Sequence, residues 1–245
     1  MTNLLLAEAL KLRTTRTMWA LVGATVAVSA LAVASAVIVG ADTNLDLESA
    51  RGAREIMNVT ANGAIFVLVL GVIVSAGEFR MGTATDTFLT TPRRWRVVAA
   101  KLVTAGTVGL VFGALAAGVS LGIAGLSYRL EGLTFPLGSS DAWSTLGGSV
   151  LYAALFGAIG AATGSLVRNQ VVAIVGWLVW IAVVEHIATG FAPDIGRWLP
   201  VAAGRALVGE AGQDLLSRGT AAIVLASYAL VIMGMAIVTE RYRDA

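Results

Sequence analysis

Long stretches without charged residues constrain this chain more than any other feature of its sequence. Six apolar stretches of about 20 residues occur, and a helix of that length crosses the roughly 30 Å hydrocarbon core of a bilayer. They lie at about 18–40, 60–77, 102–128, 142–167, 169–188 and 219–239. Five of them contain no charge, and the fifth along the chain contains only Glu185, near one end. The pattern predicts an all-α polytopic membrane protein with six transmembrane helices.

Composition excludes several other classes of protein. Charged residues make up 13% of the chain, against about 25% in a typical soluble domain. The chain has no cysteine, which excludes disulfides and zinc–thiolate sites. Its single histidine, His186, cannot form a His-rich metal cluster, and a net charge of +2 does not indicate nucleic-acid binding. We therefore expect no metal, no cofactor and no nucleic-acid partner for this chain.

The distribution of lysine and arginine predicts the orientation. With six spans both termini lie on the same side of the membrane, and eleven of the 17 basic residues belong to segments on that side. Cytoplasmic segments carry an excess of lysine and arginine. We therefore expect a multi-pass protein of the cell (plasma) membrane with both termini in the cytoplasm.

Two segments outside the spans are predicted to lie along the membrane surface or to enter it only partway. Residues 1–17 are amphipathic, with leucines on one face and Glu8 and Lys11 on the other, which is typical of a helix in the interfacial plane. The segment 199–208 is apolar but too short to span. We expect it to form a short re-entrant or interfacial helix on the outer side before the last span. The chain as a whole, 1–245, is expected to be a single transmembrane domain.

Neither nucleotide binding nor enzymatic activity is expected of the chain itself. A P-loop requires a lysine that directly follows a glycine, whereas the two lysines, Lys11 and Lys101, follow Leu10 and Ala100. A single histidine at a membrane edge does not assemble a nucleophile, a base and an orienting acid.

Glu185 and its neighbour His186 lie inside a predicted span. A charge inside the bilayer is costly, and ion-coupled carriers keep such groups where they bind substrate or protons. The pair is therefore either a protonatable site near the outer end of the fifth span or an interfacial pair that anchors the helix where water begins. The sequence leaves both interpretations open.

The segment 78–101 carries the most informative pattern on the predicted cytoplasmic side. Its sequence, EFRMGTATDTFLTTPRRWRVVAAK, contains five basic and two acidic residues with phenylalanine and tryptophan between them. A segment that docks into a groove on another protein uses aromatic anchors for affinity and arginines for orientation. A basic loop with its aromatics at headgroup level has a similar composition. Composition alone therefore leaves these two possibilities open.

The order of motifs along the chain resembles that of a known family. The residues that carry the resemblance are Glu78-Phe79-Arg80-x-Gly82-Thr83, Thr90-x-Pro92-Arg93-Arg94 and Lys101, then Gly160 to Gly164, Arg168-Asn169-Gln170, Ala173, Trp180 to Glu185, and Trp198-Leu199-Pro200 with Ala206-Leu207. In this order they resemble the first cytoplasmic loop, the fourth and fifth spans and the outer loop of ABC-2 type permeases, the membrane-spanning subunits of ABC exporters. The resemblance covers most of the chain, and the cytoplasmic loop is its most specific part.

The resemblance implies a six-span permease that pairs with a second copy or with a sister permease. It also implies two separate ATPase subunits, which bind ATP and magnesium beneath the permeases. Residues 1–17 would then form the elbow helix, and the loop 78–101 would contain the coupling helix. The ATPase-coupling residues that it implies are Glu78, Phe79, Arg80, Gly82, Thr83, Phe88, Pro92, Arg93 and Arg94.

The resemblance further implies a substrate path between the two permeases, lined by the second and fifth spans. By position, the candidate lining residues are Asn62, Phe66, Trp177 and Trp180. The same side chains could instead face lipid or pack between helices. An apolar path suits export of a hydrophobic or amphiphilic substrate. Two other functions stay open: an ion-coupled secondary transporter that uses Glu185 and His186, and a non-transporting membrane anchor for an ATPase.

Overall fold

A computed structural model describes the protein at Leu10 and at residues 16–42, 47–81, 94–136, 138, 140–210 and 215–242. In this part of the chain every regular element is helical. The helices are α1 (Arg16–Asp42), α2 (Ala50–Asn58), α3 (Ala64–Met81), α4 (Arg94–Leu130), α5 (Ser140–Val167), α6 (Gln170–Val179), α7 (Glu185–Phe191), α8 (Pro193–Gly196), α9 (Pro200–Val208) and α10 (Arg218–Tyr242). A 3-10 turn (Val59–Gly63) joins α2 to α3, and a π-helical turn (Trp180–Val184) joins α6 to α7.

Six helical stretches of the described residues are long and apolar enough to cross a membrane. They are Arg16–Gly40, Ala50–Phe79, Val97–Leu130, Ser140–Val167, Gln170–Phe191 and Arg218–Thr239. Their number and order agree with the six predicted spans. The prediction of an all-helical, multi-pass membrane protein is therefore confirmed.

The second span begins earlier than the uncharged run 60–77 indicates. It starts at Ala50, because α2 and the 3-10 turn lead directly into α3. Helix α2 is amphipathic: Arg51 and Glu55 form an ion pair over 3.0 Å on its exposed side, whereas Met57 is fully buried. The helical stretch therefore includes α2, whereas the uncharged run begins only after the charged residues of α2.

The third span also begins earlier than predicted, and both ends of the expected loop 78–101 are helical. Glu78 lies in α3, and Lys101 lies about two turns into α4, which begins at Arg94. Residues 82–93 lie outside the described part of the chain. The uncharged runs stop at Glu78 and Lys101, whereas the helices include both residues, because the two charges neutralise each other inside the bundle.

Most of the predicted elbow helix, 1–17, lies outside the described residues. Of this segment the structure describes Leu10, Arg16 and Thr17. Leu10 is helical and exposed, and the other two residues already belong to α1. The amphipathic elbow helix therefore stays a prediction.

Helix α5 lies at the centre of the bundle and contacts α3, α4, α9 and α10. Glycines permit its closest approach to α3. A Cβ atom on Gly160 would collide with the carbonyl oxygen of Leu68, and one on Gly164 would lie 2.7 Å from that of Val72. Small residues let membrane helices approach until their backbones touch. Helices α3 and α5 therefore pack as one rigid pair.

Two sets of hydrogen bonds define one end of the bundle, which we call the Tyr128 end. The Tyr128 hydroxyl donates to the carbonyl oxygen of Leu47 over 2.9 Å. Thr134 donates its N–H, over 2.8 Å, and its hydroxyl, over 2.7 Å, to Oε1 of Glu48. These bonds, the backbone one first, lower the pKa of the exposed Glu48 carboxyl below its ordinary value. We call the opposite end, where α3 ends and α4 begins, the Glu78 end.

The fifth span is interrupted, and a short helix follows it. In the π-helical turn the N–H of Glu185 donates to the carbonyl oxygen of Trp180, one residue further back than in an α-helix. A short helix was expected within 199–208, and α9 lies at Pro200–Val208. It packs its buried side against α5 and α10 at the Tyr128 end. Its depth in the bilayer stays a prediction.

Candidate functional site

A buried ion pair joins two spans at the Glu78 end. Nζ of Lys101 lies 2.8 Å from Oε2 of Glu78, and only 4% and 9% of the two side chains are exposed. Both residues lie within helical stretches that are apolar enough to span a membrane. An unpaired charge there is strongly destabilising, so each residue neutralises the other. The pair fixes the end of α3 against the start of α4, on either side of residues 82–93.

The turn between α5 and α6 meets the same end of α3. The guanidinium carbon of Arg168 lies 4.9 Å from the centroid of the Phe79 ring, a cation–π distance. Arg168 has a φ of 57°, a left-handed conformation that costs roughly 1–2 kcal/mol in a residue with a Cβ atom. The next residue, Asn169, caps α6 by accepting the N–H groups of Val171 and Val172. The strained residue is therefore held between a ring contact and a helix cap.

The predicted ATPase-coupling residues fall into two groups. Glu78, Phe79 and Arg80 lie in the last turn of α3, and Arg94 is the first residue of α4. Outside the described residues lie Gly82, Thr83, Phe88, Pro92 and Arg93. The structure brings Glu78 and Phe79 into contact with groups on α4 and on the α5–α6 turn. Contact of any of these residues with an ATPase stays a prediction.

Reasoning from the sequence does not pair Glu78 with Lys101, because a long segment separates them. A weak signal exists: Lys101 continues an apolar helical run that begins at Val97. A lysine in such a run needs a partner inside the protein. The contact between Arg168 and Phe79 has no comparable signal, since it depends on how α3 packs against α5.

The four candidate substrate-path residues lie in four different elements. Asn62 is exposed on the 3-10 turn, and Phe66 is half-buried on α3. Trp177 is half-buried on α6, where its Nε1 donates to the Thr163 hydroxyl oxygen over 3.2 Å. Trp180 is half-buried in the π-helical turn. The contact with Thr163 supports a packing role for Trp177, and a role in substrate passage stays a prediction for all four.

Glu185 caps a helix to which it does not belong. Its side chain is buried, and its Oε1 accepts the N–H of Ala202 over 2.6 Å. Ala202 lies in the first turn of α9, where the N-cap residue Leu199 makes no side-chain cap. The unpaired N–H groups and the dipole at a helix N-terminus favour a carboxylate. This bond supports the anchoring interpretation, whereas His186 is exposed with its Nδ1 3.0 Å from the Ile181 carbonyl oxygen.

A cavity of about 270 Å³ lies at the Tyr128 end, between the end of α2, the 3-10 turn, the start of α3, α5, the π-helical turn and α9. Apolar side chains form much of its wall. The polar side chains that line it are those of Asn58, Asn62, Tyr152, Arg205 and Glu210. Among the four candidate substrate-path residues, only Asn62 lines this cavity.

Within the described ranges, no group of three or more His, Cys, Asp or Glu side chains is close enough to hold a metal ion. No protein-family model matches the sequence, and no curated protein is similar to it. The fold therefore defines the class of the protein, a multi-pass, all-helical membrane protein, with a buried ion pair at one end and a partly polar cavity at the other.

Proposed function

We propose that this chain is the permease subunit of an ATP-driven exporter of the ABC-2 type. In this proposal a separate ATPase subunit binds ATP and magnesium, and a second permease copy completes the path. The order of sequence motifs supports the proposal. The observation that carries it is the buried Glu78–Lys101 pair, which braces both sides of the segment predicted to contact the ATPase.

In this proposal, the ion pair joins the two helices that flank segment 82–93. Because Glu78 and Lys101 join α3 to α4, a displacement of the segment moves both helices together. Helix α3 also touches the backbone of α5 at Gly160 and Gly164. A push at the Glu78 end therefore passes into the central helix of the bundle rather than being absorbed by one flexible helix end.

In the proposed cycle, ATP closes the ATPase dimer, which displaces the predicted coupling residues Phe88, Arg93 and Arg94. The two permeases then change from an inward-open to an outward-open arrangement, as packed helices shift between two discrete packings. The free energy comes from the different affinities of the ATPase for the two arrangements. A hydrophobic or amphiphilic substrate suits the apolar spans.

The proposal also assigns an orientation. The Glu78 end, with the basic segment 78–101, faces the cytoplasm together with both termini, in the plasma membrane. The Tyr128 end then faces the outside. A non-transporting anchor would share this orientation and the ATPase contact. The bond to Ala202 gives one oxygen of the Glu185 carboxyl group a structural partner, which favours anchoring. The other oxygen, Oε2, is buried without a hydrogen-bond partner among the described residues and leaves ion-coupled transport as the alternative.

The test is co-purification from the native membrane. We expect the affinity-tagged chain to retain an ABC ATPase and its ATP hydrolysis, and Arg93→Glu/Arg94→Glu to lower retention or coupled transport at least about tenfold, as reversed interface charges do. Retention is measured by mass spectrometry and hydrolysis by phosphate release. Transport is measured as ATP-dependent uptake of fluorescent cationic, anionic and zwitterionic amphiphiles by inside-out vesicles.

The control is an equal change of charge on α2, Arg51→Glu/Arg54→Glu, at the predicted outer end. This variant should retain the ATPase like the wild type. Absence of any ATPase from the purified wild-type chain, or wild-type retention and transport in the Arg93/Arg94 variant, contradicts the proposal. Retention of the ATPase without uptake of any amphiphile identifies an anchor instead.

A further inference from the structure

The cavity at the Tyr128 end has the size of a small ligand site. Its volume of about 270 Å³ lies close to the lower end of the roughly 300–1,000 Å³ typical of small-molecule sites. It lies far from the Glu78 end: Ile65 lines it, and Glu78 follows on the same helix about 20 Å away at the rise of an α-helix. The cavity is therefore separate from the segment proposed to contact the ATPase.

One ion pair forms part of the cavity wall. Nε of Arg205 donates to Oε2 of Glu210 over 2.6 Å, and Nη2 donates to Oε1. The two bonds use two of the five N–H donors of the guanidinium, so three remain for a ligand. About half of the Arg205 side chain and a third of the Glu210 side chain are exposed. Both signs of charge are thus available, and a ligand with one charge only would meet a like charge beside its partner.

Two aromatic rings line the same cavity. The ring centroids of Tyr152 and Phe156 lie 4.2 Å apart, and both residues are buried. A Cβ atom on Gly204 would collide with the Tyr152 ring, so the close approach of α9 holds that ring in position. Because so little of either ring is exposed, the two rings form a packed part of the wall and not an open binding face. The wall therefore combines an anion-binding group, a carboxylate and aromatic rings within one cavity.

We propose that this cavity binds a zwitterionic amphiphile. The phosphate or carboxylate of its head contacts Arg205, and its ammonium group lies against Glu210. The start of its hydrocarbon chain lies along apolar lining residues such as Ile65 and Ile181. All residues that line the site belong to one copy of this chain, so binding does not depend on the proposed ATPase. The binding test and the co-purification test can therefore fail independently of each other.

The probe is tritiated dodecylphosphocholine, and its binding to the purified full chain in maltoside micelles is measured by equilibrium dialysis. We expect one saturable site. Dodecyl phosphate and dodecyltrimethylammonium, which carry charge of one sign only, should compete at least about tenfold less well, because each leaves either Arg205 or Glu210 without an opposite charge on the ligand. Phosphocholine without a chain should also compete poorly. Equal competition by dodecyl phosphate or dodecyltrimethylammonium, or by free phosphocholine, overturns the proposal.

Two variants test the assigned contacts. Arg205→Gln removes the anion-binding group and should weaken binding of the probe at least about tenfold. Glu210→Gln removes the carboxylate and should make dodecyl phosphate compete better than it does against the wild type. The matched controls are Arg51→Gln and Glu55→Gln, which break a similar ion pair outside the cavity and should leave binding unchanged.

A third variant distinguishes a filled cavity from a misfolded protein as the cause of lost binding. Ile65→Trp places a larger apolar side chain in the cavity and leaves both charged groups in place. We expect it to elute as the wild type does in size-exclusion chromatography and to lose binding of the probe. Unchanged binding in Ile65→Trp, or equal loss in the Arg51 and Glu55 controls, shows that the probe binds elsewhere on the chain.

Discussion

Lys101 and Glu78 show, at the scale of single residues, how charge is kept inside an apolar helix. Each side chain is more than nine-tenths buried, and their charged atoms lie 2.8 Å apart. A buried pair gains little over an apolar pair of the same shape, because both charges lose their hydration. Removal of one partner is different, since the other charge is then left without compensation. The pair therefore adds little to the free energy of unfolding, but each residue needs the other as long as both are buried.

The first prediction concerns this pair. Glu78→Gln leaves Lys101 charged and without its carboxylate, and we expect it to lower the free energy of unfolding by about 3–5 kcal/mol. Glu78→Gln combined with Lys101→Met removes both charges and should recover part of that loss. The measurement is the midpoint of thermal unfolding of the purified protein in detergent. Arg51→Gln, in an exposed pair, is the control and should cost about 0–1 kcal/mol.

The comparison between the single and the double variant decides the interpretation. If the uncompensated lysine causes the loss, the double variant is more stable than Glu78→Gln alone. A double variant that is less stable than Glu78→Gln alone would show that packing around the two side chains, and not charge, holds α3 against α4.

Helix α9 illustrates the scale of the element. It has nine residues, so it depends on its neighbours for stability, as short helices do. Its N-terminal N–H group at Ala202 is satisfied by Glu185 from α7. At its C-terminus, Gly209 adopts a φ of 86° and its N–H bonds back to Arg205 and Ala206. Glu185 thereby links the interrupted fifth span to α9.

The second prediction separates anchoring from proton transfer at Glu185. Glu185→Gln keeps an oxygen that accepts the N–H of Ala202, whereas Glu185→Ala leaves that group unpaired. We expect the alanine variant to lose about 1–2 kcal/mol, the usual cost of a removed helix cap, and the glutamine variant to lose clearly less. Thermal unfolding in detergent measures both. Transport that depends on a pH gradient and is abolished equally by both variants would instead assign a proton site to Glu185.

The sequence predicts the helical elements better than their ends. Uncharged runs locate all six spans, because the bilayer imposes their length and composition. The runs fail where a charge is compensated by a partner that the sequence does not reveal. Helix α2 is missed because Arg51 and Glu55 lie on it, and the start of α4 is misplaced because Lys101 is paired with Glu78. The π-helical turn before Glu185 has no sequence signal, since it depends on packing and on the bond to α9.

The candidate sites also differ in how far the sequence predicts them. The coupling segment is recognisable as a linear motif, whereas the cavity depends on the packing of elements that are far apart in the sequence, from α2 to α9. In the sequence, Arg205 is one charge within the predicted short helix 199–208, Glu210 is an ordinary charge in the segment that follows it, and Tyr152 is one aromatic residue in a long apolar run. Among the residues that line the cavity, only Asn62 is predicted to lie near a substrate. That prediction needs only its position in the second predicted span.

At the scale of the whole molecule, the two ends of the bundle differ in kind. The Glu78 end contains a buried ion pair between α3 and α4, and the Tyr128 end contains the cavity and the hydrogen bonds to Glu48. An exporter that is driven from the cytoplasm needs this division, with the ATPase contact at one end and substrate release at the other. The proposed function therefore depends on which end faces the cytoplasm.

The last prediction concerns that orientation. The chain has no cysteine, so a single introduced cysteine reports its own location. Gly138 is exposed between α4 and α5 with open space around it, and Arg93 belongs to the predicted cytoplasmic segment. We expect a membrane-impermeant maleimide to label Gly138→Cys in intact cells and Arg93→Cys only after permeabilisation. The opposite pattern would place segment 82–93 outside, where no ATP-driven subunit could reach it, and would exclude the proposed coupling while leaving the cavity and its ligand test intact.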